Sequence, residues 1–148
     1  MIRVYTKERH MEKITKFLNS INLEHEIFTN VVDKKLGKFE LGISYCYPKK
    51  ISKSLLSIPK KGFVNYHPGP LPEYKGPSEY ENAIKNKESK WGVTVHHMNE
   101  DFDSGKIIQV NHFDLHESAN SIEELGAISH YFLFNLFKDT IKKIYENN

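Results

Sequence analysis

The sequence predicts an α/β domain built on a central, mainly parallel sheet and closed by a long C-terminal helix. Three observations carry that expectation. Apolar alternation at Ile2 and Val4 gives way within a few residues to the helical spacing of Met11, Ile14, Phe17, Leu18 and Ile21. Short β-prone stretches then recur between turn-forming residues. Finally, Ile122, Leu125, Phe132, Leu136, Ile141 and Ile144 keep helical spacing to nearly the end of the chain. At 148 residues the chain is the size of one domain, expected to span positions 1–148.

Taken in order, the first strand ends at Thr6 and is followed by the Met11–Ile21 helix face. A second extended stretch lies near 25–29, and the polar segment 33–38 leads to a buried strand over Leu41–Tyr45. Pro48 and Pro59 bracket a short amphipathic turn with Ile51, Leu55 and Leu56. Residues 62–66 form a short strand that runs into a proline-rich segment, with four of the six prolines between positions 68 and 77. That segment is neither helix nor inner strand, because each proline fixes φ and lacks a backbone donor. Pro77 suits the first position of a short helix carrying Tyr80, Ala83 and Ile84. Val93 and Val95 alternate with Thr94 and His96 in a strand, the acidic loop 99–105 follows, and 106–113 is again extended. Ser121 and Glu124 have capping-box spacing at the start of the last helix.

Composition narrows the function. Twenty-one Lys and Arg against 19 Asp and Glu leave a formal charge of +2, too little for a polyanion-binding surface, so neither nucleic acid nor membrane is an expected partner. No apolar run reaches the ~18–20 residues of a membrane span. The single cysteine, Cys46, forms no intrachain disulfide and builds no thiolate metal site unaided, and the start MIRVYTKERH lacks an apolar signal core. A cytoplasmic location is expected. No G-x-G pair and no G-K-[ST] are present, which argues against nicotinamide and ATP chemistry. His112 and His116 have zinc-helix spacing, but they fall on strand and loop without the accompanying Glu, so no metal site is expected.

The informative stretch is Asn65-Tyr66-His67-Pro68-Gly69-Pro70-Leu71-Pro72, with Tyr74-Lys75-Gly76 after it and Gly92–His96 and Asp103-Ser104-Gly105 downstream. Two residues apart on a strand, Asn65 and His67 share one face. Carboxyl ends of strands in open α/β sheets are where ligands bind. An amide, an imidazole and the carboxylate of Asp103 would supply an oxyanion donor, a proton carrier and a group to steady it, which suits acyl transfer to an amine.

The segments N-Y-H-P-G-P-L-P-E-Y-K-G, G-V-T-V-H-H-M and D-F-D-S-G-K-I-I together resemble the formyltransferases that use 10-formyltetrahydrofolate, with wording nearest to the sugar N-formyltransferases. The resemblance implies a Rossmann-like formyltransferase domain with a shortened first half. It places the catalytic roles on Asn65, His67 and Asp103 and a strand histidine on His96. It puts the folate beside Ser44, Tyr47, Lys49 and Ile51 and against Met98, Glu100 and Asp101, and the acceptor near Pro70, Leu71, Tyr74 and Lys75. Thr6-Lys7-Glu8-Arg9 stands where the family has a glycine-rich loop, so a nucleotide-phosphate site is not expected there. The stretch after Asp103 is too short for the second domain of the methionyl-tRNA enzymes, so tRNA is not an expected substrate. The implied reaction moves a formyl group to a primary amine, that of a nucleotide-linked amino sugar, with formyltetrahydrofolate hydrolysis or folate binding without turnover as alternatives. A homodimer is compatible with the shortened half.

Overall fold

The computed structural model describes residues 1–30, 37–76, 78–100, 105–117 and 119–147. Among these, six strands form one mixed sheet: β1 (Ile2–Thr6), β2 (His25–Phe28), β3 (Leu41–Tyr45), β4 (Phe63–His67), β5 (Lys90–His97) and β6 (Ile107–Asp114), in the order β2-β1-β3-β4-β5-β6. The helices are α1 (Glu8–Ser20), α2 (Lys53–Leu56), α3 (Glu79–Lys85) and α4 (Ile122–Asn147). The first four strands pair in parallel, whereas β5 runs antiparallel to both β4 and β6. None of the described helices is long and apolar enough to cross a membrane.

The inner strands β1 and β3 are buried along their whole length, the pattern of strands covered on both faces. On one face Ile2, Val4, Ile43, Tyr45, Val64 and Tyr66 pack against Ile14 and Leu18 of α1 and Leu133, Leu136, Phe137 and Ile141 of α4. Each aliphatic side chain so buried contributes about 1.5–3 kcal/mol relative to exposure. On the other face Tyr5 and Phe63 gather Phe39, Tyr47, Ile51 and Leu55, so the chain after β3 folds back over the sheet. A third cluster, Ala83, Trp91 and Leu125, joins α3 and α4 to the start of β5.

Side-chain caps fix the starts of two helices, α2 and α4. The Ser121 hydroxyl accepts from Glu124 N at 3.1 Å, while the Glu124 carboxylate takes Asn120 N at 3.3 Å, so the capping pair closes one residue earlier than the ideal box. The turn between Pro48 and Pro59 is a helical turn, α2, whose Ser52 hydroxyl accepts from Leu55 N at 3.2 Å. Helix α3 starts at Glu79 behind Ser78; Pro77, expected to open it, lies outside the described residues. Strand β5 begins at Lys90, earlier than alternation alone suggests, because Trp91 is drawn into the third cluster.

Candidate active site

Register brings the chemistry together. Ser44 of β3 pairs with Asn65 of β4, and Asn65 pairs with His96 of β5, so three polar residues from three strands form one row across the sheet. His97, paired with Val64, falls on the opposite face. Asn65 Nδ2 lies 3.1 Å from His96 Nε2, and His96 Nδ1 lies 2.8 Å from the His97 carbonyl. A carbonyl only accepts, so the neutral His96 ring carries its proton on Nδ1 and receives the Asn65 amide at Nε2. That chain of bonds turns the Asn65 nitrogen, not its oxygen, toward His96.

His67 closes β4 and is 6% exposed. Its Nε2 donates to the Tyr74 carbonyl at 2.9 Å, which leaves Nδ1 as the basic nitrogen of the neutral ring. The proline-rich segment that follows is tied down by three hydrogen bonds to β5. Thr94 Oγ1 donates to the Gly69 carbonyl at 2.8 Å and accepts from Leu71 N at 3.1 Å, and Trp91 Nε1 donates to the Pro68 carbonyl at 3.1 Å. Gly69 sits in a tight place: a Cβ there would lie 3.2 Å from His67 Nε2 and 3.3 Å from the Trp91 ring, so both would have to give by a few tenths of an ångström.

Asn65, His67 and His96 border a cavity of about 560 Å³. Ser44, Tyr47, Lys49, Ile51, Met98 and Glu100 line the same cavity, so those expected folate contacts are gathered in one place. Glu100 is held by Lys53 Nζ at 3.0 Å. Asp103 and Asp101 lie outside the described residues. The expected acceptor contacts fall elsewhere. Pro70, Tyr74 and Lys75 line a separate hollow of about 450 Å³ beside Trp91, and Leu71 is buried at 4% exposure. The reason is long-range: the Tyr74 ring packs 4.7 Å from Trp91 and its hydroxyl bonds Glu88, so only its carbonyl reaches His67.

Sequence reasoning did not place Lys7, Arg9, Glu79, Tyr80 and His130 on the cavity, which they line. Lys7 and Arg9 had a legible signal, since they directly follow the carboxyl end of β1. Two cations therefore stand where the missing glycine-rich loop argued against an anion site.

This fold, with an Asn and a His at the end of an inner strand, can be set beside known proteins. A sequence family described as formyl transferase matches residues 7–132, most of the chain. The chain belongs to the formyl transferase family. Methionyl-tRNA formyltransferase of Borrelia hermsii (strain HS1 / DAH) is 31% identical over 109 residues, which are 74% of this chain and 35% of that protein. The chain thus spans about a third of the length of that relative. In structure, this chain resembles PseJ from Anoxybacillus kamchatkensis, solved in complex with UDP-4,6-dideoxy-4-formamido-L-AltNAc and tetrahydrofolate. The TM-score is 0.83 at 22% identity, over 97% of this chain and 76% of that one. Phosphoribosylglycinamide formyltransferase from Streptococcus pneumoniae TIGR4 matches with a TM-score of 0.74 at 19% identity, over 97% of this chain and 98% of that one. At such identities the two structures establish the shared fold.

Proposed function

We propose that this formyl transferase moves the formyl group of 10-formyltetrahydrofolate to the primary amine of a nucleotide-linked amino sugar. The observation that carries the reading is the Asn65–His67–His96 arrangement at the floor of one cavity. Tyr47, Ile51 and Met98 pack into one cluster and give that cavity an apolar wall suited to a folate. Lys7 and Arg9 supply positive charge for the phosphates of the acceptor. PseJ, solved with tetrahydrofolate and a UDP-linked formamido sugar, supports both halves of the assignment. Likeness to methionyl-tRNA formyltransferase supports formyl transfer, with methionyl-tRNA as the acceptor of that relative.

In the proposed reaction the neutral amine attacks the formyl carbon, and the oxygen of the tetrahedral intermediate is held by the Asn65 amide. His67 takes the proton of the attacking nitrogen at Nδ1 and passes it to N10 of the folate as the formyl C–N10 bond breaks, so that the intermediate collapses to the formamide and tetrahydrofolate leaves. Asp103, carried between β5 and β6, steadies the charge that develops on that imidazole. An amide oxyanion donor supplies ~100- to 1000-fold and an acid–base group ~100- to 10,000-fold in rate.

The test is calorimetric titration with a stable 10-formyltetrahydrofolate analogue, followed by formyl release with and without nucleotide-linked amino sugars. Binding with amine-dependent release is the expected result. Release that ignores the amine identifies a hydrolase, and absence of binding overturns the assignment.

A further inference from the structure

We propose that His10, Cys46 and His130 form a binding site for a soft transition-metal dication of the zinc class on the wall of the cavity. The three come from α1, the residue after β3, and α4, and their donor atoms all lie within 4.8 Å of one another. Cys46 Sγ is 3.9 Å from His130 Nδ1, and the His10 and His130 rings are 5.2 Å apart between centroids. Zinc bonds of ~2.0–2.3 Å in a tetrahedron separate ligand atoms by about 3.3–3.8 Å, so the three donors need close by only about 1 Å to share one ion.

The donor set chooses the ion. One thiolate and two imidazoles suit zinc or its soft neighbours and discriminate against magnesium and calcium, which take oxygen. The surroundings choose in the same sense. Lys7, Arg9 and Lys13 on and before α1 oppose a cation, with Glu79 of α3 the acidic group acting on Cys46. An ion held by field alone is excluded there, whereas one held by donor bonds is not. Burial and those cations hold His10 down to about 3 and His130 to about 4, so both rings are neutral and able to coordinate at neutral pH. Burial pushes the Cys46 thiol up to about 12. Binding therefore exchanges the thiol proton for the metal: the S–H bond breaks, the S–metal bond forms, and one proton leaves to solvent with no change of oxidation state.

His10 is 4% exposed, whereas Cys46 and His130 line the cavity, so an ion held by the three would sit at the cavity wall. Cys46 also holds a left-handed backbone, φ 50, uncommon for residues other than Gly, Asn and Asp.

Cobalt(II) is the probe, added to the full chain after reduction and chelator treatment, with no folate or acceptor present. One equivalent is expected to give a thiolate-to-cobalt charge-transfer absorption and strong tetrahedral ligand-field bands, to release one proton, and to be displaced by zinc. Because Cys46 is the only cysteine, Cys46→Ser is expected to abolish the charge-transfer absorption. His130→Ala, at a half-buried position, is expected to weaken the ligand-field bands while the far-ultraviolet circular dichroism stays that of the parent. No charge-transfer absorption from the parent chain with excess cobalt overturns the site. So does absorption that survives in Cys46→Ser, or binding unaltered in His130→Ala.

Discussion

A single amide carries much of the proposed chemistry, and its orientation is set by the imidazole of His96 directly across on the neighbouring strand. Asn65→Ala removes the oxyanion donor and is expected to cut kcat ~100- to 1000-fold while the far-ultraviolet circular dichroism stays that of the parent; a variant that keeps full turnover would refute its role. His67→Ala is expected to cost ~100- to 10,000-fold, read in the same assay. The pH response belongs to His10 and His130. Both protonate in the folded chain at lower pH, about 3 and about 4, than in the unfolded chain, near ~6.5. Unfolding therefore takes up protons between those values, and stability present above pH ~6.5 declines as the pH falls toward 3. Denaturant midpoints measured from pH 7 to 4.5 in chelator should fall steadily, and the fall should be shallower in His130→Gln. That Asn65 and His67 share one face was legible, because strand parity puts i and i+2 together. The His10, Cys46 and His130 cluster was not, since its members meet only after three elements pack.

Among the elements, the proline-rich connection after β4 depends on one hydroxyl. Thr94→Val keeps the shape but leaves the Gly69 carbonyl and Leu71 N–H without their shared partner. A loss of ~1–3 kcal/mol is expected by chemical denaturation. Turnover should fall as well, because the same connection seats the Tyr74 carbonyl against His67. At the far end of β5, a Cβ on Gly105 would lie 1.6 Å from the His97 carbonyl oxygen. Gly105→Ala must part the backbone where His97 N bonds Lys106 O at 2.8 Å, and hydrogen exchange at His97 should quicken while the amides of β1 keep their protection. Strands and helices were legible wherever apolar spacing was clean, as in α1 and α4. The direction of side chains beyond His67 was not, because prolines end the alternation and partners distant in sequence, Trp91 and Thr94, decide it.

For the whole molecule, the same sheet is covered by α1 and α4 on one face and by the chain after β3 on the other, with the cavity between these coverings. Such sharing predicts one cooperative transition. Fluorescence of Trp91, the only tryptophan, and far-ultraviolet circular dichroism should give coincident denaturation curves; two separated midpoints would count against a single unit. The reversal of β5 was hidden from the sequence, since a helix between two strands ordinarily signals a parallel crossover, yet α3 joins an antiparallel pair. The order of the elements also bears on synthesis. All six strands precede α4, whose Leu133, Leu136, Phe137 and Ile141 are the lid of one apolar face. At ~5–20 residues per second the ribosome completes the strands a few seconds before that lid emerges. For that interval the nascent chain presents an uncovered greasy surface, a natural docking point for a holdase chaperone and a place where pausing in translation would be costly.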